Sequence, residues 1–233
     1  MDFVSINDVN VYPFESDEEL LDYIDKHKGI LVAINTQKVV YATDQTREII
    51  NRNIGYCDGA GVVLMLKRKG FENAKKIAGC DLWLKIVQRF CQNKSFYLIG
   101  GKQQVIEQAV NKLKKDFDGV KIAGFRNGYL DNQDDELALI DEVVLKKPDV
   151  VFVAMGSPKQ ELLMERMQEA HPNAIYQGLG GSFDVYTGNV PRAPKWWIDH
   201  DLEYAYRLIK QPSRFKRYFC LFKFAWWLII KKV

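Results

Sequence analysis

The chain of 233 residues is 47% apolar and 27% charged, which gives it the length and apolar content for a full-sized core in one large or two small domains. That balance excludes disorder and coiled coil. Sixteen Gly and seven Pro are ordinary usage, and the absence of any repeat excludes collagen-like, low-complexity and solenoid chains. The formal net charge of +3 hides an asymmetry, because residues 204–233 hold eight Lys/Arg and no acid, against 25 basic and 30 acidic residues before them.

The opening MDFVSINDVN has no basic segment leading into an apolar stretch, so no signal peptide is expected and the chain should work in the cytosol. A helix over 16–27 is opened by the capping box Ser16-x-x-Glu19. ILVAIN (30–35), SFYLIG (95–100), VKIAGF (120–125), DVVFVAM (149–155) and AIYQGL (174–179) read as strands. DVVFVAM is apolar after its first residue, as a parallel strand covered on both faces should be. Helical patterns over 102–116 and 134–146 alternate with these strands. The alternation predicts an α/β fold, a Rossmann-like, mostly parallel sheet with flanking helices. Such sheets bind ligands at the carboxyl ends of their strands.

Four strand-to-helix loops carry candidate chemistry. In Tyr56-Cys57-Asp58-Gly59-Ala60-Gly61, an acid within a glycine-rich loop suits a general base, although Asp-Gly is also a common turn. Gly100-Gly101-Lys102 would let a phosphate or sugar approach the backbone, but lacks the third glycine of a dinucleotide fingerprint. In Met155-Gly156-Ser157-Pro158-Lys159-Gln160-Glu161, Ser157 suits an N-cap, Pro158 the first helical position and Gln160 a capping box. The resulting helix start is either a natural anion site or simply well capped. Gly178-Leu179-Gly180-Gly181 is equally compatible with a tight turn and a ligand loop.

Neither a metal centre nor a hydrolase nucleophile is indicated. His27, His171 and His200 have no partner at ligand spacing, and Cys57, Cys80, Cys91 and Cys220 form no C-x-x-C pair, which fits a reducing compartment. Asp199-His200-Asp201 formally matches a D-x-D metal motif, yet it precedes the helical LEYAYRLI, so an N-cap role is expected for Asp199 or Asp201. Gly-x-Ser-x-Gly is absent.

Taken together, the motifs fall in one order. Asn35 is followed by Asp58-Gly59-x-Gly61, Lys76-Ile77-Ala78-Gly79-x-Asp81-Leu82 and Gly156-Ser157-Pro158-Lys159-Gln160-Glu161. Gly178-x-Gly180-Gly181-x-Phe183-Asp184, Gly188, Arg192-Ala193-Pro194, and then Arg207, Pro212, Arg214 and Arg217-Tyr218 complete the series. In these residues the chain resembles the WecG/TagA/CpsF glycosyltransferases of bacterial surface-polysaccharide synthesis, over roughly residues 30–220.

The resemblance implies an inverting, metal-independent transfer of a sugar, such as N-acetylmannosamine, from a UDP-sugar donor to N-acetylglucosamine on an undecaprenyl diphosphate. Asp58 matches the family's proposed base. Asn35, Lys76, Gly100, Gly101, Gly156, Ser157, Lys159, Gln160, Glu161, Gly180, Asp184 and Arg192 would bind substrate, and Arg207, Arg214 and Arg217 the acceptor diphosphate. Family members commonly have Thr where this chain has Ala33 and Arg where it has Lys76, and Lys keeps the charge without the bidentate fork.

The tail then fits the acceptor. Tyr218–Ile230 is thirteen residues interrupted by Lys223, short of the roughly 20 that span a bilayer. Its basic and aromatic residues suit a helix lying in an anionic leaflet, with Phe222, Trp226, Trp227 and Ile230 in the headgroup region. The expected organisation is a glycosyltransferase body over 1–200 and a membrane-surface appendage over 201–233, peripheral on the inner face of the cell membrane. A homo-oligomer is compatible with it, and the Trp-Trp-Leu-Ile-Ile cluster is more apolar than nucleic-acid binding requires. Two alternatives are an NAD-dependent nucleotide-sugar oxidoreductase, disfavoured by the incomplete glycine fingerprint, and a noncatalytic membrane-associated nucleotide-sugar-binding protein.

Overall fold

The computed structural model describes residues 2–200, 203–210, 223–224 and 226–227. Six strands form one sheet with every pairing parallel: β3 (Gly29–Ile34), β4 (Ile54–Cys57), β5 (Ser95–Gly100), β6 (Lys121–Arg126), β7 (Val150–Ala154) and β8 (Ile175–Gly178), in the order β4-β3-β8-β7-β5-β6. All five strands expected from the sequence are present. Those with the most continuous apolar runs lie inside the sheet, and every residue of β7 is buried. β6, on the edge, leaves Lys121 and Phe125 exposed.

Alternation along the strands sends side chains into two cores. Val32, Ile34, Val151 and Val153 pack with α2 (Thr36–Tyr41), α3 (Asp44–Asn51), α4 (Ala60–Arg68), α7 (Gln133–Lys146) and α8 (Lys159–Ala170). Leu31, Leu98, Phe152 and Ile175 pack with α1 (Asp17–Lys26), α5 (Gly79–Phe90), α6 (Gln103–Asp116) and the short α9 (Ser182–Tyr186). The result is a sheet between two helical layers, each fully buried Leu, Ile or Phe stabilising it by about 1.5–3 kcal/mol.

Three of the strands were not expected. β1 (Val4–Ile6) and β2 (Val9–Val11) form an antiparallel hairpin, whose two turn residues, Asn7 and Asp8, both have positive φ, as a primed turn requires. β4 is the third, a four-residue strand too short for its periodicity to register, and Asp58 follows it. The hairpin closes the sheet edge beside it: the Tyr12 N–H donates to the Gly55 carbonyl at 2.7 Å.

Two local expectations are corrected and one is narrowed. Ser157 is not the N-cap of α8, because the helix begins after Pro158 with no side-chain cap and the Gln160 side chain is used elsewhere. Asp199 closes the short helix α10 (Lys195–Asp199) and does not open α11 (Glu203–Lys210), while Asp201 lies outside the described residues. Trp227, expected to enter a membrane, is 8% exposed and packs with Phe224 into the core beside α2 and α4. Phe222, Ile230, Arg214 and Arg217 lie outside the described residues.

Gly55 carries β4 past the hairpin. A Cβ there would lie 2.4 Å from the Asn10 carbonyl oxygen, so Gly55→Ala should cost about 1–3 kcal/mol, the usual penalty of overpacking. The effect would be read as a lower urea midpoint, and an unchanged midpoint would mean that the hairpin yields freely.

Candidate functional site

Because the strands are parallel, the loops leaving β3, β4, β5, β7 and β8 gather at one edge of the sheet. β5 crosses through α6 outward to β6, whereas β7 crosses through α8 the other way to β8. The crevice at that reversal is where open α/β sheets bind ligands. Its walls are the glycine loops: the Gly101 N–H donates to the Ala154 carbonyl at 3.3 Å and the Gly128 N–H to Gly101 at 2.9 Å. A Cβ on Gly100 would lie 2.3 Å from the Ala154 oxygen, which makes this glycine obligatory for the approach of β5 to β7. At Gly156, Gly180 and Gly181 a Cβ would meet nothing within 4 Å, so these loops leave open space at the mouth.

The loops are held by buried side chains. Gln160 Oε1 accepts from the Gly156 N–H at 3.1 Å and the Gly180 N–H at 3.0 Å, joining the loops after β7 and β8. Gln160 is only 5% exposed, and its amide packs where a Gly178 side chain would otherwise be. Beside it, Glu161 Oε1 pairs with Lys38 Nζ at 2.9 Å, while the same ammonium donates to the Ala33 carbonyl at 3.0 Å. Burial pushes the Glu161 carboxyl up, but the Lys38 ammonium outweighs it and leaves the group below its usual value. Asn35 caps α2, its Oδ1 accepting from the Lys38 N–H at 3.1 Å.

Asp58 follows β4 and is half-buried. Its N–H donates to the Ile34 carbonyl at 2.9 Å, and its Oδ1 accepts the N–H of Gly79, the first residue of α5, at 2.8 Å. A carboxylate at a helix N-terminus meets the positive end of the helix dipole. Lys76 is close enough for its charge to act on the neighbouring Cys57 thiol, although burial still pushes that thiol up to about 12, so Cys57 is no nucleophile at neutral pH.

The structure thus brings Asn35, Asp58 and Lys76 together at one end of the edge and Gly156, Gln160, Glu161 and Gly180 at the centre, bridged by Lys38. Gly100 and Gly101 form the far wall. Ser157 and Lys159 are exposed beside them. Asp184 lies on α9, and Arg192 donates to Asp81 Oδ2 at 2.6 Å, tying its loop to the first turn of α5. Arg207 sits on α11. Among the described residues no group of three or more His, Cys, Asp or Glu is placed to hold a metal ion.

Sequence reasoning missed Lys38 and Gln177. Lys38 belongs to no motif and reads as an ordinary helix residue. Gln177 did leave a signal, a lone amide inside the otherwise apolar strand AIYQGL.

With this geometry in place, residues 4–233 match the model of the Glycosyl transferase WecG/TagA/CpsF family.

The Lys38–Glu161 pair has a measurable consequence. Lys38→Met should cost about 3–5 kcal/mol at neutral pH, because it leaves a buried carboxylate uncompensated. A carboxyl held low stabilises the fold above its usual value of 4.5 and loses that contribution as pH falls through its folded value. The difference between Lys38→Met and the parent in urea should therefore narrow in acidic buffer. A constant difference would show that the charge of Glu161 is not what Lys38 balances.

Proposed function

The chain belongs to the WecG/TagA/CpsF glycosyltransferase family, and from that premise we propose an inverting enzyme that moves a sugar from a UDP-sugar to a lipid-diphosphate-linked sugar acceptor in cell-surface polysaccharide synthesis. The observation that carries the mechanism is Asp58, a half-buried carboxylate at the mouth of the sheet, aimed by a backbone N–H of α5.

In this reading the acceptor hydroxyl oxygen attacks the anomeric carbon from the face opposite UDP, and its proton passes to Asp58. The bond from the anomeric carbon to the β-phosphate oxygen breaks, and UDP leaves with the electron pair. Lys76 and Lys159 would offset the charge developing on the leaving diphosphate, the role that preorganised cations take in such sites. Gly100, Gly101, Gly156 and Gly180, with no side chains, would admit the donor to the crevice, with Asn35, Ser157, Asp184 and Arg192 around it. Gln160 and Glu161 act from beneath as positioning residues, since both are buried.

The acceptor side of the proposal assigns the lipid diphosphate to Arg207, Arg214 and Arg217, on a chain that works peripherally at the inner membrane face. No helix among the described residues is long and apolar enough to cross a membrane. Trp226 and Trp196, 60% and 57% exposed, are the tryptophans this reading would offer to a lipid surface.

Asp58→Asn should lower transfer by about 10²- to 10⁴-fold, the usual contribution of a general base, with UDP binding by calorimetry nearly unchanged. The substrates would be a panel of UDP-sugars and a short-chain lipid diphosphate N-acetylglucosamine, with products identified by mass. Activity within a few-fold of the parent would remove Asp58 from the base role. The same assay with EDTA should run at the parent rate. A rate lost to EDTA and restored by Mn²⁺ or Mg²⁺ would instead assign diphosphate stabilisation to a metal.

A further inference from the structure

A buried amide lies in the middle of the sheet, beneath the Asp58 loop. β8 sits between β3 and β7, and its Gln177 is 0% exposed. A primary amide in such a strand is unfavourable unless its polar atoms are partnered, and an apolar residue of the same shape would be tolerated better. Only half of this amide is satisfied. Nε2 donates to the Gly79 carbonyl at 3.3 Å and to the Tyr56 hydroxyl at 3.4 Å, whereas Oε1 is buried with no partner among the described residues. The side chain is therefore poorly explained by its own solvation, and what it holds becomes the informative feature.

What it holds is Gly79. The N–H of this residue donates to Asp58 Oδ1 at 2.8 Å and its carbonyl accepts from Gln177, so one residue links the amide to the carboxylate. Gly79 is also seated on Tyr56, which lies in β4 two residues before Asp58: a Cβ at position 79 would be 2.6 Å from the Tyr56 hydroxyl oxygen and 3.6 Å from the Ala33 methyl. A larger residue there requires the Tyr56 ring or the first turn of α5 to shift. Burial and the nearby Asp58 carboxylate raise the Tyr56 hydroxyl well above its usual value, so it stays neutral and can support Gly79 without adding charge.

We propose that Gln177 and Tyr56 are positioning residues that fix the Asp58 carboxylate through Gly79, so that the base is aimed from β8, two strands away, as well as by its own loop. The inference rests on the assignment of Asp58 as the base. The Gly79 N–H points at the carboxylate only while its carbonyl is anchored behind it and its Cα rests on the phenol, and a displacement of about 1 Å in a catalytic group can cost on the order of 10²-fold in rate.

Two readouts on the full chain test this. The first is turnover: Gln177→Leu should lower kcat by about 10- to 100-fold while leaving KM for the UDP-sugar little changed, because the donor loops are not touched. The second needs no substrate. The Gly79 amide proton, followed by NMR hydrogen exchange, should exchange at least several-fold faster in Gln177→Leu than in the parent. Gly79→Ala should lose turnover at least as severely, and adding Tyr56→Phe should restore part of it by removing the atom that the new methyl strikes. A folded Gln177→Leu with parental kcat and parental Gly79 exchange overturns the proposal. If Gln177→Leu fails to fold, the absence of any rescue by Tyr56→Phe in the Gly79→Ala background overturns it instead. A protein that transfers no sugar, yet shows faster Gly79 exchange in Gln177→Leu, keeps the network and refutes only the assigned function.

Discussion

Where a parallel sheet ends, its backbone groups run out of ladder partners, and burying them unpaired is costly. At the carboxyl edge of this sheet the deficit is met by side chains placed beneath the loops. Gln160 takes two glycine N–H groups at once, Lys38 takes the Ala33 carbonyl, Asn35 takes the Lys38 N–H in the first turn of α2, and Asp58 takes the Gly79 N–H at the start of α5. Each bond is modest alone, with a net contribution of about 0.5–1.5 kcal/mol. Their effect on geometry is larger, because they join loops that leave different strands. The edge behaves as one cross-tied surface.

That cross-tying explains why buried polar groups concentrate here. Glu161 and Gln160 are 2% and 5% exposed, and Gln177 is 0%. A network of this kind is unfavourable if half-satisfied and rigid if complete. Two atoms in it, Glu161 Oε2 and Gln177 Oε1, lack a partner among the described residues, so the network is not optimised for stability alone. In the proposed transfer, charge developing on a leaving diphosphate would be stabilised best by groups that do not reorganise during the reaction, and fixed loops would supply that condition.

The sheet was legible because its interior strands are apolar without interruption. DVVFVAM and SFYLIG reach the structure within a residue or two, since a strand covered on both faces leaves no other reading. β4 escaped because IGYC is only four residues long and takes its burial from the hairpin and helices around it, a tertiary effect no local pattern records. The hairpin has its own sequence signal, Asn7-Asp8 between alternating residues, but two three-residue strands are too short to stand out by periodicity. At the site, the glycines around Asp58 allow both a turn and a general base, whereas the capping roles expected of Ser157 and Gln160 are not what the structure shows. A Ser-x-x-Gln spacing predicts a capping box, but residue 160 reaches two loops that only the fold brings together. Long-range satisfaction of backbone groups overrode the local motif.

The C-terminal segment shows the same competition between local composition and tertiary packing. Consecutive tryptophans in a basic, aromatic stretch read as one membrane-facing cluster, but a helix turns about 100° per residue and separates neighbours onto different faces. Trp227, at 8% exposure, joins Phe224 against the core, with the Lys223 ammonium 5.1 Å from the Trp227 ring and 5.6 Å from that of Tyr41 on α2. Trp226 points away at 60% exposure. The Phe224 ring also comes within 3.0 Å of where a Gly61 side chain would begin, three residues after Asp58. This part of the tail is therefore a wall of the body near Asp58. Its described apolar residues divide between that wall, where Phe224 and Trp227 are buried, and the outward-facing Trp226.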